Sequence, residues 1–281
     1  MLKVWINGAG GQLGQALNDV IDHMEFEIFN SDVNELDITN VDDVLSFGKI
    51  NRPDIIINCA GFTDVDACEK DPKTAYRVNA LGARNLSIVA GQIGAKMVQL
   101  STDDVFDGKS DSPYKEFDFA TPCSVYGKSK LAGENYVKEF TSKHFIIRSN
   151  WVYGKRANFV RDFIKLSQTQ KLISIASDQY GSPTSANELA KFILYIIETN
   201  EYGTYHATCT GSCSRYAFAK EIARLTNNDV HIEAAPSAEA HLTSIRPAYA
   251  VLDNFILSID DVYTFPDWKD ALATYVKEME D

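Results

Sequence analysis

Short apolar runs alternate with stretches of helical periodicity through the first half of the chain. The runs are rich in β-branched residues and predict strands at residues 3–6, 27–29, 54–58, 97–100 and 145–148. Between them, apolar residues recur every three to four positions, which predicts helices over residues 12–21, 41–47, 74–93 and 129–140. Strands that are buried on both faces are continuously apolar, as Ile55, Ile56 and Ile57 are. The pattern therefore predicts an α/β fold with a doubly wound parallel sheet.

The second half of the chain has a looser pattern. Amphipathic stretches predict helices over residues 158–167, 186–198, 216–225 and 268–280. The connections between them are longer and carry turn-forming residues such as Gly181, Pro183, Pro236 and Pro247. Longer connections of this kind are typical of a smaller lobe that covers a cleft.

Composition and charge argue against several classes of protein. The chain has 281 residues, of which 45% are hydrophobic and 23% are charged, so it is too apolar to be disordered. Its 27 Lys and Arg against 39 Asp and Glu give a net charge of −12, which argues against nucleic acid and anionic membrane surfaces as partners. No apolar run approaches the ~18 residues that cross a bilayer, and residues 1–6 are too few for the apolar core of a signal peptide. The five cysteines include no Cys-x-x-Cys pair, so we expect reduced thiols and a cytoplasmic protein.

The first predicted strand ends in a glycine-rich turn. Gly8, Gly11 and Gly14 have the spacing that lets a chain turn tightly, approach a pyrophosphate and pack the next helix on the sheet. The start of that helix adds free N–H donors and a positive dipole. A tight strand-to-helix turn without a ligand is the alternative. Asp32 follows the second strand, where a carboxylate can accept hydrogen bonds from an adenosine ribose, although it could also be a turn aspartate.

The identity of the cofactor depends on the residues around Asp32. No Arg or Lys lies in the glycine turn or beside Asp32 in the sequence to pair with an adenosine 2′-phosphate. This favours NADH, or the use of both NADH and NADPH, over strict use of NADPH. Residues 1–150 are thus predicted to form a Rossmann-like dinucleotide-binding domain, which would also receive parts of 170–225. Residues 151–281 would form mainly a smaller C-terminal substrate-binding lobe.

A hydroxyl residue and a Tyr-x-x-x-Lys pair follow the fourth predicted strand. Tyr126 and Lys130 are four residues apart, so on a helix their side chains share one face. Reduction of a carbonyl requires a hydride and a proton, and at ~6 Å and an effective dielectric constant of ~20 an ammonium attracts a phenolate by about 2.8 kcal/mol. That attraction would lower the pKa of Tyr126 by about two. Thr102, at the strand end, would hydrogen-bond the carbonyl oxygen; a surface Tyr–Lys pair and a strand-end threonine without a role are the alternatives.

These residues together resemble the extended short-chain dehydrogenase/reductases, whose signatures are the spaced glycine turn, the Tyr-x-x-x-Lys pair and an upstream Ser or Thr. More closely, the chain resembles the dTDP-4-dehydrorhamnose reductases. The segments that carry this resemblance span nearly the whole chain and are residues 52–60, 63–69, 101–108, 126–134, 148–154, 178–184 and 246–247. The resemblance implies NAD(P)H-dependent reduction of the 4-keto group of dTDP-4-dehydro-L-rhamnose to dTDP-L-rhamnose, a precursor of cell-surface polysaccharide.

The resemblance also implies roles for individual residues. Tyr126 would donate the proton, and Lys130 would hold the nicotinamide ribose and lower the pKa of Tyr126. Asn79 matches an Asn that supports the lysine through water in the wider superfamily, with helix packing as the alternative. The implied cofactor contacts are Gly8, Gly11, Gln12, Leu13, Gly14, Asp32, Asp37, Ile38, Gly61, Phe62, Thr63, Tyr126 and Lys130. The implied substrate contacts are Val65, Thr102, Asp103, Trp151 and Arg246, the last near the nucleotide diphosphate.

Other interpretations of these residues stay open. Trp151 could be a core aromatic residue, Arg246 a surface ion-pair residue and Asp103 the cap of a loop. Three departures from the family pattern concern the identity of the sugar: Asp104 stands where the family usually has Tyr, Gly61-Phe62 stands where Ala followed by Tyr or His is commoner, and Ala250 stands where the family usually has Ser. The alternative functions are a reductase or epimerase of another dTDP-4-keto-hexose and a non-catalytic regulatory subunit of the methionine adenosyltransferase type.

The implied partner is a dTDP-4-keto-sugar, and a homodimer is compatible with the resemblance, although the sequence does not fix the oligomeric state. Mg²⁺ is suggested only because some family members are described as magnesium-dependent. No cluster of metal-ligating residues stands out in the sequence, so we predict no metal site built by this chain.

Overall fold

The computed structural model describes residues 1–237, 246–260 and 263–280. The strands are β1 (Leu2–Asn7), β2 (Phe26–Ser31), β3 (Ile55–Asn58), β4 (Lys96–Thr102), β5 (His144–Ser149), β6 (Val152–Tyr153), β7 (Leu172–Ala176), β8 (Tyr180–Gly181), β9 (Thr184–Ser185), β10 (Gly203–His206), β11 (Cys213–Ser214) and β12 (His231–Ala235). The α-helices are α1 (Gln12–Val20), α2 (Val41–Asn51), α3 (Val65–Lys70), α4 (Pro72–Tyr76), α5 (Ala83–Ile93), α6 (Val125–Phe140), α7 (Phe159–Ser167), α8 (Ala186–Glu198), α9 (Arg215–Leu225), α10 (Phe255–Asp260) and α11 (Trp268–Glu280). A π-helical segment spans Arg77–Gly82, and a 3-10 turn spans Asp103–Val105.

Six strands form one parallel sheet in the order β10-β5-β4-β3-β1-β2. This confirms the doubly wound α/β architecture predicted from the sequence. The chain order reverses between β1 and β3, so a crevice opens at the carboxyl ends of these strands, where folds of this type bind ligands. β10 comes from the second half of the chain and pairs with β5, and α8 packs against α1. Parts of the second half therefore complete the main sheet and its helical layer.

Each face of the sheet packs against its own hydrophobic cluster. Ile55 and Ile57 belong to one cluster, together with Phe192 of α8. Ile56 belongs to the other cluster, together with Trp5 of β1. Since successive side chains of a strand point to opposite faces, a strand with no face toward water must be apolar at every position. This explains the continuous isoleucine run of β3.

One predicted helix is interrupted. The helix expected over residues 74–93 consists of α4, the π-helical segment Arg77–Gly82 and α5. Within that segment, Asn79 is only 3% exposed. Its side chain bonds to the backbone of Phe62, a contact between distant segments that apolar periodicity does not encode. Single π-helical turns are frequent at functional sites.

A second predicted helix, over residues 129–140, begins earlier, at Val125. Two side chains satisfy the free N–H groups of its first turn. Ser124 Oγ accepts a hydrogen bond from the Gly127 N–H at 3.0 Å, and Glu69 Oε1 accepts one from the Val125 N–H at 2.7 Å. The earlier start puts Tyr126 in the first turn of α6.

The rest of the second half is built on small strand pairs, which are β6 with β9, β7 with β12 and β8 with β11. Tyr180 of β8 donates a backbone hydrogen bond to Ala248 at 2.8 Å and accepts one from Ala250 at 2.9 Å. These bonds hold the segment that carries Arg246 and Pro247 against the carboxyl side of the main sheet. In the three described ranges, no helix is both long and apolar enough to cross a membrane. All five cysteines carry free thiols.

Candidate active site

The glycine-rich turn joins β1 to α1 through very close backbone contacts. Gly8 has φ +70°, in the left-handed region, and a Cβ at this position would lie 2.6 Å from the backbone N of Ala60. A Cβ on Gly14 would lie 2.6 Å from the Cα of Ala9. Gly11, the capping residue of α1, has no side chain to cap the helix. The first N–H groups of α1 are therefore available to an anionic ligand.

A cavity of about 580 Å³ lies beside this turn, and we call it the cofactor cavity. Nine of the predicted cofactor residues line it: Gly8, Gly11, Gln12, Asp32, Asp37, Ile38, Gly61, Phe62 and Thr63. Leu13 and Gly14 do not, because the Leu13 side chain is buried in the core and Gly14 packs beneath the turn. Asn7 also lines the cavity, and its buried Nδ2 has no hydrogen-bond partner among the described residues. The size, the open helix N-terminus and this unpaired donor fit a dinucleotide.

Asp32 both closes the glycine turn and faces the cofactor cavity. Its Oδ2 accepts a hydrogen bond from the Gly10 N–H at 3.0 Å, and its Oδ1 accepts one from the Val33 N–H at 2.9 Å. Each carboxylate oxygen can accept a further bond, so the turn role and a ribose-binding role are compatible. Gly10, which the motif did not single out, lets Asp32 approach closely, because a Cβ on it would lie 2.7 Å from Asp32 Oδ2 and the carboxylate would have to shift.

Asn79 fixes the opposite wall of the cofactor cavity. Its Oδ1 accepts a hydrogen bond from the Phe62 N–H at 2.8 Å. Its Nδ2 donates to the Phe62 carbonyl at 3.0 Å and to Ser129 Oγ at 2.9 Å. The buried amide thus ties the π-helical segment and α6 to the backbone segment that was predicted to face the nicotinamide.

A second cavity, of about 240 Å³, adjoins the cofactor cavity at Thr63, which lines both. We call it the substrate cavity. Its lining comprises Thr63, Val65, Thr102, Asp103, Asp104, Tyr126, Trp151, Gln179, Arg215, Arg246, Pro247 and Ala250. The structure therefore brings together all five predicted substrate contacts and the predicted proton donor. Lys130 lines neither cavity and is 5% exposed beneath them.

Tyr126 reaches the substrate cavity because α6 packs directly on the turn that follows β4. A Cβ on Gly127 would overlap the backbone carbonyl of Asp104, so only glycine allows this approach. Thr102 ends β4 and starts the same turn. The contact between α6 and the turn thus sets the phenol of Tyr126 and the hydroxyl of Thr102 around one space.

The pKa of Tyr126 is raised, whereas the Tyr–Lys spacing predicted a lowered one. Burial is the main cause, and the Asp104 carboxylate raises the pKa further, while the neighbouring Thr102 hydroxyl acts in the opposite direction. Lys130 Nζ donates to the Leu100 carbonyl at 2.5 Å, and burial lowers the pKa of Lys130 to about 8. The net lowering of the Tyr126 pKa that the Tyr–Lys spacing predicted is therefore not found in this structure, because burial and the Asp104 carboxylate outweigh it. Spacing on a helix gave the shared face but not the direction in which the ammonium points.

Two adjacent carboxyl groups stand beside Thr102. Thr102 Oγ1 donates a hydrogen bond to Asp103 Oδ1 at 3.0 Å and accepts one from the Asp104 N–H at 3.2 Å. Burial and the neighbouring Asp104 raise the pKa of Asp103 well above its usual value. Burial raises the pKa of Asp104 to about 6, against the opposing effects of Arg246 and Arg215. The pair therefore retains a proton to a higher pH than an exposed aspartate would.

Trp151 and Arg215 form one wall of the substrate cavity. Trp151 has φ +43°, which is uncommon for a residue other than glycine, and its half-buried indole faces the cavity. The guanidinium carbon of Arg215 lies 3.6 Å from the indole centroid. Burial lowers the pKa of Arg215 to about 10, while the Asp103 carboxylate acts in the opposite direction. The indole also packs against the hydrophobic core, with its ring centroid 6.3 Å from that of Phe218, so Trp151 is both a core-packing aromatic residue and part of the cavity wall.

Arg215 is a candidate that the sequence analysis missed. The one unusual feature of Arg215 in the sequence is that it is the first residue of α9, a position where the helix dipole disfavours a cation. Gln179, to which no chemistry was assigned, also lines the substrate cavity. Arg246 lines this cavity and also forms an ion pair, with its Nη2 3.6 Å from Asp66 Oδ2, so its position is compatible with both of its predicted roles.

No three His, Cys, Asp or Glu side chains cluster as a metal site in residues 1–237, 246–260 and 263–280.

Comparison with known proteins identifies the family. Residues 2–281 match the family profile described as RmlD substrate binding domain. The spore coat polysaccharide biosynthesis protein SpsK of Bacillus subtilis is 37% identical over 281 residues, covering 99% of this chain and 98% of that protein. A dTDP-4-dehydrorhamnose reductase structure from Clostridium acetobutylicum has 42% identity and a TM-score of 0.98, with 100% of both chains covered. Another from Bacillus anthracis, in complex with NADP, has 40% identity and a TM-score of 0.97, covering 99% of this chain and 100% of that one. The chain therefore belongs to the RmlD substrate binding domain family, that of the dTDP-4-dehydrorhamnose reductases.

Proposed function

We propose that the protein reduces the 4-keto group of dTDP-4-dehydro-L-rhamnose to give dTDP-L-rhamnose, with NADPH or NADH as the reductant. One observation carries the proposal: the cofactor cavity and the substrate cavity meet at Thr63, with Tyr126 and Thr102 on the substrate side. A dinucleotide held beside the glycine turn would then direct its nicotinamide toward a ketone in the second cavity. Membership of the reductase family supports the same reaction.

Tyr126 is proposed as the proton donor. Reduction places a hydride on the ketone carbon and a proton on the ketone oxygen, and the nicotinamide supplies the hydride. Burial and Asp104 keep the phenol of Tyr126 protonated, so it has a proton to give in the reducing direction, although a raised pKa makes it a weaker acid than a group that titrates near neutral pH. Thr102 would hydrogen-bond the same oxygen by turning its hydroxyl away from Asp103. Lys130 would hold the nicotinamide ribose through the ammonium that now bonds to the Leu100 carbonyl.

The substrate diphosphate requires cations, because a net charge of −12 makes the overall field unfavourable for anions. Arg215 and Arg246 are the two cationic side chains among the residues that line the substrate cavity. A guanidinium suits phosphate because its planar N–H fork can form two parallel hydrogen bonds. We assign both arginines to the nucleotide diphosphate and Trp151 to the sugar.

The domain roles follow from this assignment. Residues 1–150, together with β10 and α8, would hold the cofactor, and residues 151–281 would supply mainly the substrate lobe. We also propose that the protein works in the cytoplasm, because its five cysteines are free thiols and a cytoplasm keeps thiols reduced.

Turnover with defined sugars tests the proposal. Purified protein is mixed with NADPH or NADH and a panel of dTDP-4-keto-hexoses, and loss of the reduced nicotinamide is followed by absorbance. We expect stoichiometric oxidation with dTDP-4-dehydro-L-rhamnose. Interconversion of sugars without net oxidation would instead identify an epimerase. Absence of turnover with every sugar, together with co-purification of a synthetase, would identify a regulatory subunit.

Asp104→Asn should move the alkaline limb of the pH profile. Tyr126 acts as an acid only below its pKa, so activity falls as the pH rises through that value. The Asp104 carboxylate raises the pKa of Tyr126. Its removal should therefore shift the fall of kcat/KM to lower pH. The measurement is kcat/KM against pH for both proteins.

Asp111→Asn is the matched control, because Asp111 is exposed and lines neither cavity. Its profile should coincide with that of the parent protein. An alkaline limb that stays in place in Asp104→Asn would show that Tyr126 does not control it.

A further inference from the structure

Arg156 lies at the rim of the cofactor cavity although it is far from the glycine turn in the sequence. It belongs to the exposed loop between β6 and α7. Gln12, the first residue of α1, holds this loop in place: its Oε1 accepts a hydrogen bond from the Arg156 N–H at 2.9 Å, and its Nε2 donates to the Ala157 carbonyl at 2.8 Å. The loop is therefore fixed over the glycine turn by both ends of one amide.

The Arg156 guanidinium and the Asp32 carboxylate face the same point. A Cβ built on Gly10 would lie 2.7 Å from Asp32 Oδ2 and 3.8 Å from Arg156 Nη2. Within the described part of the chain, no carboxylate lies within salt-bridge distance of the Arg156 guanidinium. Among the described residues, Asp32 is thus the carboxylate that shares this space with the cation, beyond ion-pair distance and held by the turn.

The space between Asp32 and Arg156 is where the adenosine end of a bound dinucleotide would lie. A carboxylate at the end of the second strand accepts hydrogen bonds from the adenosine ribose, so the ribose 2′-position lies close to Asp32. A phosphate at that position would bring further negative charge beside the Asp32 carboxylate, which disfavours NADPH unless a cation offsets it. A guanidinium is the side chain best suited to bind such a phosphate.

We propose that Arg156 binds the adenosine 2′-phosphate of NADPH and is the residue that lets this chain use NADPH despite Asp32. The inference rests on the proposed nicotinamide-dependent function and adds its cofactor specificity. NADH would bind through Asp32 alone. The sequence favoured NADH, or both cofactors, because no basic residue adjoins Asp32 along the chain; the fold supplies one from the loop before α7.

Cofactor binding without any sugar tests the proposal. The dissociation constants of NADPH and NADH are measured by titration calorimetry for the parent protein and for Arg156→Ala. Loss of a charge-assisted contact to phosphate should weaken NADPH binding about 10- to 100-fold and leave NADH binding within about twofold. Competition by 2′-AMP should weaken in the same variant, whereas competition by 5′-AMP should not.

Lys155→Ala is the matched control. Lys155 precedes Arg156 in the same loop and is also cationic, but its Nζ pairs with Asp19 at 2.8 Å and it does not line the cavity. Both cofactors should bind this variant as they bind the parent. Arg156→Lys keeps the charge without the planar N–H fork and should retain part of the affinity for NADPH.

Two results would overturn the proposal. Equal weakening of NADPH and NADH in Arg156→Ala would place the guanidinium on the pyrophosphate, which both cofactors share. Unchanged binding of both would show that Arg156 contacts neither. Because no sugar is present, failure to reduce any dTDP-4-keto-hexose would refute the proposed reaction and leave this binding result standing.

Discussion

Tyr126→Phe is expected to lower turnover about 10²- to 10⁴-fold, the usual contribution of a positioned general acid. The variant removes one hydroxyl from the substrate cavity and keeps the ring that packs at the start of α6. Cofactor binding should stay within about twofold of the parent value, because Tyr126 does not line the cofactor cavity. The measurements are single-turnover reduction of dTDP-4-dehydro-L-rhamnose and a cofactor titration on the same preparation.

Tyr136→Phe is the control for this substitution. Tyr136 lies on the same helix and lines neither cavity, and Tyr136→Phe removes the same hydroxyl group. Its turnover should match that of the parent. If Tyr126→Phe retained near-normal turnover, the proton would have to come from another group, and the Asp103–Asp104 pair with its raised pKa values would be the first to examine.

Glu134→Gln should cost about 3–5 kcal/mol of the free energy of unfolding, the usual effect of removing one partner of a buried ion pair. Glu134 of α6 is fully buried and accepts hydrogen bonds from Arg148 Nε at 2.9 Å and Arg148 Nη2 at 2.8 Å. Ser101 Oγ donates to it at 2.5 Å. This network joins α6 to β4 and β5. The variant would leave the Arg148 guanidinium buried without a counter-charge.

Thermal unfolding measures the effect, which should appear as a fall in Tm of roughly 5–15 °C. Glu139→Gln makes the same change at an exposed position of α6 and should alter stability by less than about 0.5 kcal/mol. The double variant Glu134→Leu with Arg148→Met should recover much of the loss, because no charge is then left buried. A Glu134→Gln protein as stable as the parent would show that Arg148 does not need this carboxylate.

The elements of the fold were largely predictable from the sequence. Five of the six strands of the main sheet were predicted from short apolar runs. Each of these strands is buried on at least one face and is therefore rich in apolar residues. β10 was not found, since Gly203–His206 is short and polar and is a strand only through its pairing with β5. The start of α6 was also missed, because its first turn depends on Ser124 and on Glu69 from another helix.

The residues of the site were predictable only where a motif lies on one segment. The glycine turn, Tyr126 and Thr102 lie on segments with recognisable local patterns, and the structure places them around two adjoining cavities, with Lys130 buried beneath. Arg215 and Arg156 carry no such spacing, since each enters its cavity from a segment that only folding brings near. The pKa of Tyr126 was likewise not predictable from one segment. It depends on burial and on Asp104, and the four-residue spacing between Tyr126 and Lys130 indicates neither of them.

The sequence by itself determined the alternation of five main-sheet strands with helices and the glycine turn beside the first strand, and it predicted the groups that we propose to reduce a carbonyl. Those properties reside in local spacing and in the apolar pattern, which a linear sequence records directly. Only the tertiary structure decided where the charges meet: Arg215 stacked on Trp151, Lys130 turned to Leu100, and Arg156 placed across Gly10 from Asp32. The physical reason is that electrostatic effects depend on distance and burial in space, and neither can be derived from separation along the chain.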